Sequence, residues 1–317
     1  MLNICVLDAA TLGEDLDLSP LSHVGQVKVY ATTAPEEVAE RLVDCDIVLI
    51  NKIRLGAQNL KWATRLKLIC VAATGYDNID VEYCRTHGIG VSNVVGYSTN
   101  NVAQLTVAMA LSLITHLPAY NRITADGSYT RGGVANCLTP AYHEIAGKTW
   151  GVLGYGNIGG AVGRIASAMG CRVLAYKRTP VEGVECVDLE TVCRESDILS
   201  IHLPLNDATR GILDAEHIAM LKPGAIVINV ARGAVTDEAA LAEALVSGQL
   251  GGLGVDVYST EPFPESHPFY PLRERENVCL TPHMAWGSIE ARQRCLGEIV
   301  LNMEAFLRGE RRNRLDA

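Results

Sequence analysis

Short runs of apolar and β-branched residues recur along the chain, and between them apolar positions fall at helical spacing. In the first hundred residues the runs are NICVL, QVKVY, DIVLI and KLICVA, with APEEVAERLVDC helix-like between the second and third. A second set begins at Trp150: WGVLG, CRVLAY, DILSIHL, AIVINV, LGVDV and VCLTP, separated by helix candidates such as DEAALAEALVSG. Runs that are apolar throughout, rather than alternating, are strands buried on both faces, as in parallel sheets covered by helices. The pattern predicts an α/β protein with two doubly wound parallel-sheet domains.

Between the sets lies TNNVAQLTVAMALSLITHL, residues 99–117. It is apolar almost all round, which predicts a buried helix, and Pro118 is expected to stop it. From Pro118 to about Ala146 the chain mixes Gly, Asn, Tyr and Arg without a clear period. This is either a mobile loop or, the preferred reading, an arm that packs on another subunit. Near the end, SIEARQRCLGEIVLNMEAFLRG predicts a C-terminal helix from about residue 287 to 317.

Composition narrows the class. The 317 residues are 48% hydrophobic and 20% charged, which suits a folded chain of two domains. With 27 Lys and Arg against 36 Asp and Glu, the formal charge of −9 argues against a nucleic-acid-binding surface. The ten cysteines are scattered and nowhere form a C-x-x-C pair, so they read as buried thiols in a reducing compartment and no metal site is expected. No basic region precedes a long apolar stretch at the N-terminus, and no window holds about 18 uninterrupted apolar residues. A cytoplasmic protein without a membrane partner is the expectation.

Gly154-Tyr155-Gly156-Asn157-Ile158-Gly159 fits G-x-G-x-x-G. It follows the strand WGVLG and opens a helix with Ile158, Val162, Ile165 and Met169 on one face, so the strand, turn and helix that the motif needs are all expected. Glycines let the backbone approach a pyrophosphate, whose charge is met by N–H groups at the helix N-terminus. This is a Rossmann-like dinucleotide site.

An acid at the end of the next strand usually binds the adenosine ribose in such a site. Here CRVLAY is followed by Lys177 and Arg178. A carboxylate would repel the 2′-phosphate of NADP, whereas a guanidinium fork and an ammonium attract it. The bases point to NADP(H); the alternative is that they are solvated loop charges and NAD(H) binds through its other contacts.

Three further groups stand at or beyond strand ends, where ligands of such sheets bind: Arg232 after AIVINV, Glu261 after LGVDV and His283 after VCLTP. With VAATGYDNID (71–80), VAQLT (102–106), EIAGKT (144–149), HLPLNDATRGIL (202–213), MLKPGAIVINVARG and TPHMAW, these segments resemble the D-isomer-specific 2-hydroxyacid dehydrogenase family over essentially the whole chain. The PHMAW form of the histidine motif and ATGYDNID look most like its glycerate dehydrogenase or hydroxypyruvate reductase branch.

The resemblance implies NAD(P)H-dependent reduction of a small 2-keto acid to the D-2-hydroxy acid, and the reverse. Hydride reaches the keto carbon while a proton must reach the oxygen, a task for a group with a pKa near neutrality. His283 would be that donor, Glu261 would orient it and raise its pKa, and Arg232 would hold the substrate carboxylate. Related formate dehydrogenases have Gln in the Glu261 role, so Glu here speaks against that branch. Thr74 and Gly75 would complete the carboxylate pocket. Lys52 is either a further substrate contact or a solvated strand end.

By the same resemblance Asn157 and Ile158 would meet the pyrophosphate, and His202, Leu203 and Pro204 would line the adenosine side. Val230, Ala231, Arg232 and Asp256 would approach the nicotinamide end, with Thr106, His283, Ala285 and Trp286 nearby. It implies a discontinuous substrate-binding domain, 1–98 and 287–317, around a dinucleotide-binding domain, 99–286, with substrate in the cleft between them, and a homodimer. Two rivals stay open: a reductase of a bulkier aryl or alkyl 2-keto acid, and a non-enzymatic dinucleotide-sensing protein of the corepressor type.

Overall fold

The computed structural model describes residues 1–316. Contacts divide the chain into two units: Met1–Ser98 together with the chain from Gly287 onward, and Thr99–Trp286.

The first unit holds five strands, β1 (Asn3–Val6), β2 (Gln26–Val29), β3 (Ile47–Ile50), β4 (Leu68–Val71) and β5 (Gly90–Ser92), all parallel in the order β2-β1-β3-β4-β5. The central strands β3 and β4 are buried along their whole length, as their unbroken apolar runs require. β5 is too short to stand out by pattern; it is a strand because β4 offers it an edge to pair with.

The C-terminal helix spans Ile289–Leu307, with Ser288 accepting the N–H of Ala291 as its cap. It is shorter than the expected 287–317. Gly309, at φ +76°, turns the chain back, and the tail takes a place beside β5: Leu315 N–H donates to Val91 O, and Asp316 accepts the N–H of Val91. The tail exchanges helical bonds for pairing along a sheet edge.

The second unit has seven parallel strands: β6 (Thr149–Leu153), β7 (Arg172–Tyr176), β8 (Glu185–Cys186), β9 (Ile198–Ile201), β10 (Ala225–Asn229), β11 (Leu250–Val255) and β12 (Val278–Leu280). Their order is β12-β11-β10-β9-β6-β7-β8. The chain first runs outward from β6 to β8, then crosses to β9 and runs the other way. The carboxyl ends of β6 and β9 therefore form a topological switch point, where such sheets bind ligands.

A helix from Thr99 to Ile114 packs on this sheet and buries Val102, Ala103, Thr106, Val107, Met109, Ala110, Leu113 and Ile114. It stops before Pro118. The axis bends by 62° into a second helix, Leu117–Ala125, which carries Pro118 in its first turn, where a missing N–H costs nothing. A short helix, Ser128–Gly132, follows, so the segment expected to lack regular structure begins with helices. Among the described residues no single helix is long and apolar enough to cross a membrane.

The helix after the glycine turn, Asn157–Ala168, also differs from its expected face. Ile165 is 38% exposed, and the buried side is the one with Gly159, Val162, Gly163 and Ala166. This helix packs against Thr99–Ile114, and Tyr155 lies over its glycines: a Cβ on Gly163 would fall 2.6 Å from the Tyr155 ring.

Candidate active site

At the switch point β6 runs into Gly154, whose φ of +94° only glycine adopts without strain. Its N–H donates to Tyr176 O at 3.0 Å, tying the ends of β6 and β7 together. A Cβ on Gly154 would lie 2.9 Å from the His202 carbonyl, and one on Gly159 would lie 2.1 Å from Gly154 O. Gly156 is the opposite case, because nothing stands within 4 Å of where its Cβ would be. Gly156 is also the N-cap of the following helix, and no side chain caps it. An open space floored by glycine at a helix N-terminus, whose N–H groups have no side-chain cap, fits a dinucleotide pyrophosphate.

Asn157 is exposed and Ile158 half-buried at this rim. Lys177 and Arg178 leave the sheet directly after β7, both exposed. On the other flank His202, Leu203 and Pro204 follow β9. Trp150 Nε1 donates to Ser200 Oγ at 2.9 Å, and that hydroxyl sits 3.0 Å from His202 Nε2. Burial pushes the His202 imidazole down to about 3, so it is neutral. Its Nδ1 has no hydrogen-bond partner among the described residues.

β10 ends in Asn229, which is buried and fixes the next turn with both ends of its amide. Ala231 N–H donates to Asn229 Oδ1 at 3.0 Å, and Asn229 Nδ2 donates to Arg232 O at 2.9 Å. Val230 is buried inside this turn, and Arg232, half-buried, donates from Nη1 to Ala231 O. Gly233 then lies flat against the chain after β11: its Cβ would fall 2.1 Å from Ser259 N and Tyr258 C. The Arg232 turn and the Glu261 loop are in direct backbone contact.

Glu261 Oε1 accepts the N–H of Tyr258 at 3.0 Å, and Oε2 lies 2.7 Å from His283 Nδ1. The carboxylate is the acceptor, so Nδ1 carries the proton of this pair. The His283 side chain is 19% exposed and its backbone is left-handed, at φ +54°. An unfavourable backbone conformation at a histidine persists only where its surroundings impose it.

Those surroundings are supplied by Asp256. This fully buried carboxylate accepts from Thr281 Oγ1 (2.6 Å), Met284 N (2.8 Å) and Ala285 N (2.9 Å), on both sides of His283. Desolvation raises its pKa against those hydrogen bonds. Both oxygens are engaged with the His283 loop, which gives Asp256 a structural task whatever the nicotinamide-end role that the resemblance implies. Ala285 is buried, and Trp286 packs against the cluster containing Trp150 and Ile228.

Thr106 is fully buried and its hydroxyl donates to Val102 O. The remaining candidates belong to the first unit. Lys52 follows β3, with its N–H bonded to Asp8 Oδ2 at 2.6 Å; Thr74 and Gly75 follow the adjacent strand β4, where Thr74 Oγ1 donates to Val94 O. A surface groove of about 620 Å³ in that unit, lined in part by Tyr97, Arg294 and Leu301, contains none of the candidates. Among the described residues no group of His, Cys, Asp or Glu is placed to hold a metal ion.

Asn229, Thr281, and the buried Glu238 and His267 behind the Glu261 loop are not site candidates by local pattern. Asn229 alone left a signal, a polar residue closing an apolar strand.

A family model described as D-isomer specific 2-hydroxyacid dehydrogenase, NAD binding domain, matches residues 107–285. The chain is 38% identical to a glycerate dehydrogenase of Methylorubrum extorquens over 293 residues, covering 92% of each protein. It is 36% identical to a hydroxypyruvate reductase of Blautia hydrogenotrophica, covering 97% of this chain and 98% of the relative. Among solved structures, an acyclic imino acid reductase in complex with NADPH and D-Arg superposes with a TM-score of 0.88 at 29% identity, covering 99% of this chain and all of that one. With a dinucleotide cradle at the switch point and a carboxylate-paired histidine at the strand ends, the chain belongs to the D-isomer specific 2-hydroxyacid dehydrogenases and is an oxidoreductase that uses a nicotinamide dinucleotide.

Proposed function

We propose that this enzyme reduces a small 2-keto acid, hydroxypyruvate or glyoxylate, to the D-2-hydroxy acid, with NADPH preferred over NADH. The observation that carries the reading is the 2.7 Å pair of Glu261 and His283, on loops after neighbouring strands, with the Arg232 turn pressed against the first of those loops. The relatives named glycerate dehydrogenase and hydroxypyruvate reductase act on the two ends of one such interconversion, which supports the substrate class.

The nicotinamide, when bound, supplies the hydride. The chain's residues do the rest. Arg232 holds the substrate carboxylate in its planar fork and draws charge from the adjacent carbonyl. His283 delivers the proton from Nε2 to the carbonyl oxygen, and Glu261 keeps Nδ1 protonated and the ring oriented. Thr74, Gly75 and Lys52 contribute substrate contacts from the first unit, which acts as the substrate domain; Thr99–Trp286 acts as the cofactor domain. Gly154 to Gly159 bind the pyrophosphate, and Lys177 and Arg178 clamp the 2′-phosphate.

Leu117, Tyr129, Val134, Leu138 and Tyr142 are large apolar residues exposed along one segment of the second unit, and they support a homodimer formed through that arm. Analytical ultracentrifugation of the wild type and of Leu138→Asp tests it; a monomeric wild type refutes it.

The functional test is a set of initial rates with hydroxypyruvate, glyoxylate, phenylpyruvate and an imino acid, each with NADPH and NADH. Higher kcat/KM for the first two with NADPH, and reversal of the cofactor preference in Lys177→Asp, are expected. Equal or better rates with NADH would make the two bases surface charge and leave the reaction class standing. Preference for the imino acid would move the substrate class toward that of the NADPH-bound structural neighbour.

A further inference from the structure

Behind the Glu261 loop, away from the strand ends, lies a buried charged cluster that the reaction described above does not use. Glu238 opens the helix Glu238–Ser247 and is only 9% exposed. Its Oε1 accepts the N–H of Ser259 at 2.9 Å; its Oε2 accepts from Ser259 Oγ and lies 3.0 Å from His267 Nε2. His267 is 6% exposed and ringed by Phe263 (5.0 Å between centroids), Phe269 (5.1 Å) and Tyr258 (5.9 Å).

The proton positions follow from the partners. Phe269 N–H donates into His267 Nδ1 at 3.2 Å, so that nitrogen carries a lone pair and the ring's proton sits on Nε2, directed at Glu238. Glu238 thus receives three donors and gives none, which is the arrangement of a carboxylate, and the N-terminus of its own helix favours the negative charge.

We propose that Glu238, with His267 behind it, is a positioning residue for Glu261; the proposal rests on the proton-donor reading of the Glu261–His283 pair. Two of the three donors come from Ser259, so the cluster grips the Tyr258–Ser259 peptide. Gly233 closes on the same peptide and leaves no room for a Cβ. The N–H on the other side of Tyr258 is the one that holds Glu261 Oε1. With that oxygen fixed, Oε2 is presented to His283 Nδ1. Loosening the peptide swings the carboxylate away from the imidazole, without touching substrate or cofactor.

A cluster that served packing alone could be replaced by apolar side chains of equal volume at little cost. This one also fixes a direction. Glu238→Gln is the informative substitution: an amide keeps the volume, but whichever way it turns its NH2 meets a donor, Ser259 N–H or His267 Nε2–H, and the ring's other tautomer would set Nδ1–H against Phe269 N–H.

The test is the pH profile of kcat/KM for keto-acid reduction by the cofactor-loaded enzyme, with thermal melts on the same samples. The variants are wild type, Glu261→Gln, Glu238→Gln, Gly233→Ala and Leu241→Ala, the last in the same helix but away from the peptide. Glu261 and Asp256 both bear on His283, and this device addresses Glu261. Reduction needs protonated His283, so weakening its carboxylate partner moves the alkaline limb to lower pH.

Glu261→Gln moves the limb furthest. Glu238→Gln and Gly233→Ala move it the same way, and in Glu238→Gln kcat falls about tenfold while KM stays within about threefold. Leu241→Ala lowers Tm and leaves the limb in place. The proposal is overturned if Glu261→Gln moves the limb while both Glu238→Gln and Gly233→Ala leave it unmoved, or if Leu241→Ala moves it as far as Glu238→Gln. A limb unmoved even by Glu261→Gln would remove the proton-donor reading itself, and the positioning role with it. If Glu238→Gln or Gly233→Ala does not fold, Ser259→Ala, which removes one of the donors to Glu238 and adds no bulk, decides in its place.

Discussion

In both units a buried aspartate stands just past the end of a strand and ties down a neighbouring loop through backbone N–H groups. After β1, Asp8 accepts the N–H groups of Asn51, Lys52 and Ile53; after β11, Asp256 accepts those of Met284 and Ala285 together with the Thr281 hydroxyl. In both, desolvation raises the carboxyl's pKa against the hydrogen bonds that lower it. The first grip falls on three consecutive residues, whereas the second straddles His283 and leaves it left-handed beside Glu261. The glycine turns differ as well. β1 leads through Leu7 and Asp8 into a 3-10 turn, Ala9–Leu12, while β6 leads into an open glycine cradle and a longer helix. Two parallel sheets with one kind of anchor thus acquire different chemistry from the few residues set between and beside the anchor points.

The widest gap between the two loops should appear in catalysis. His283→Ala is expected to lower kcat about 10²- to 10⁴-fold with the NADPH Kd, read by fluorescence, unchanged. Lys52→Ala should act mainly on KM, about tenfold or less. Equal losses in kcat would erase the distinction drawn here.

A second expectation sharpens the contrast between the turns. Gly156→Val should fold with a wild-type Tm, because its side chain enters open space, yet weaken dinucleotide binding at least about tenfold, roughly 1.4 kcal/mol. Gly159→Val would instead strike Gly154 O and lower Tm. A Gly156→Val protein with normal cofactor affinity would remove the pyrophosphate from this cradle.

Removing the anchors compares them directly. Asp8→Ala and Asp256→Ala each leave several N–H donors unpaired and should cost about 1–3 kcal/mol in denaturant melts. Only Asp256→Ala should also reduce kcat by much more than its stability loss accounts for.

The smallest effect concerns His202. Its folded pKa is depressed from 6.5 to about 3, so the unfolded chain binds the extra proton and stability falls as pH drops below about 6.5. Full linkage between pH 6.5 and 5 would be about 2 kcal/mol; for a half-buried ring about 1 kcal/mol is expected. His202→Gln should flatten this part of the Tm profile, and an unchanged slope would show that other groups produce it.

Much of the site was legible in the chain because it is written in short-range order. Gly154, Gly156 and Gly159 announce a turn wherever a strand precedes and a helix follows. Arg232, Glu261 and His283 stand out as polar groups that end apolar runs. Local pattern misled where a partner elsewhere decides. Pro118 reads as a stop, but the chain had already bent after Ile114, so it could begin a helix. Ile165 has the spacing of a core residue and is exposed, because the helix turns the side with Gly159, Val162 and Ala166 inward. The tail after Leu307 continues a helical pattern and pairs instead with β5.

The two parallel sheets, the dinucleotide turn and the candidate Arg232, Glu261 and His283 are set by local order, since each depends on residues adjacent in the chain or on a strand and the few positions after it. Which carboxylate faces His283, what holds that carboxylate, and which glycines pack and which stay open follow from the assembled fold alone. Glu238 and Ser259 are distant in sequence, as are Asp256 and Ala285, and a hydrogen bond between such residues exists only once both strands are in place. Their geometry is a property of the assembled sheet, which no local pattern records.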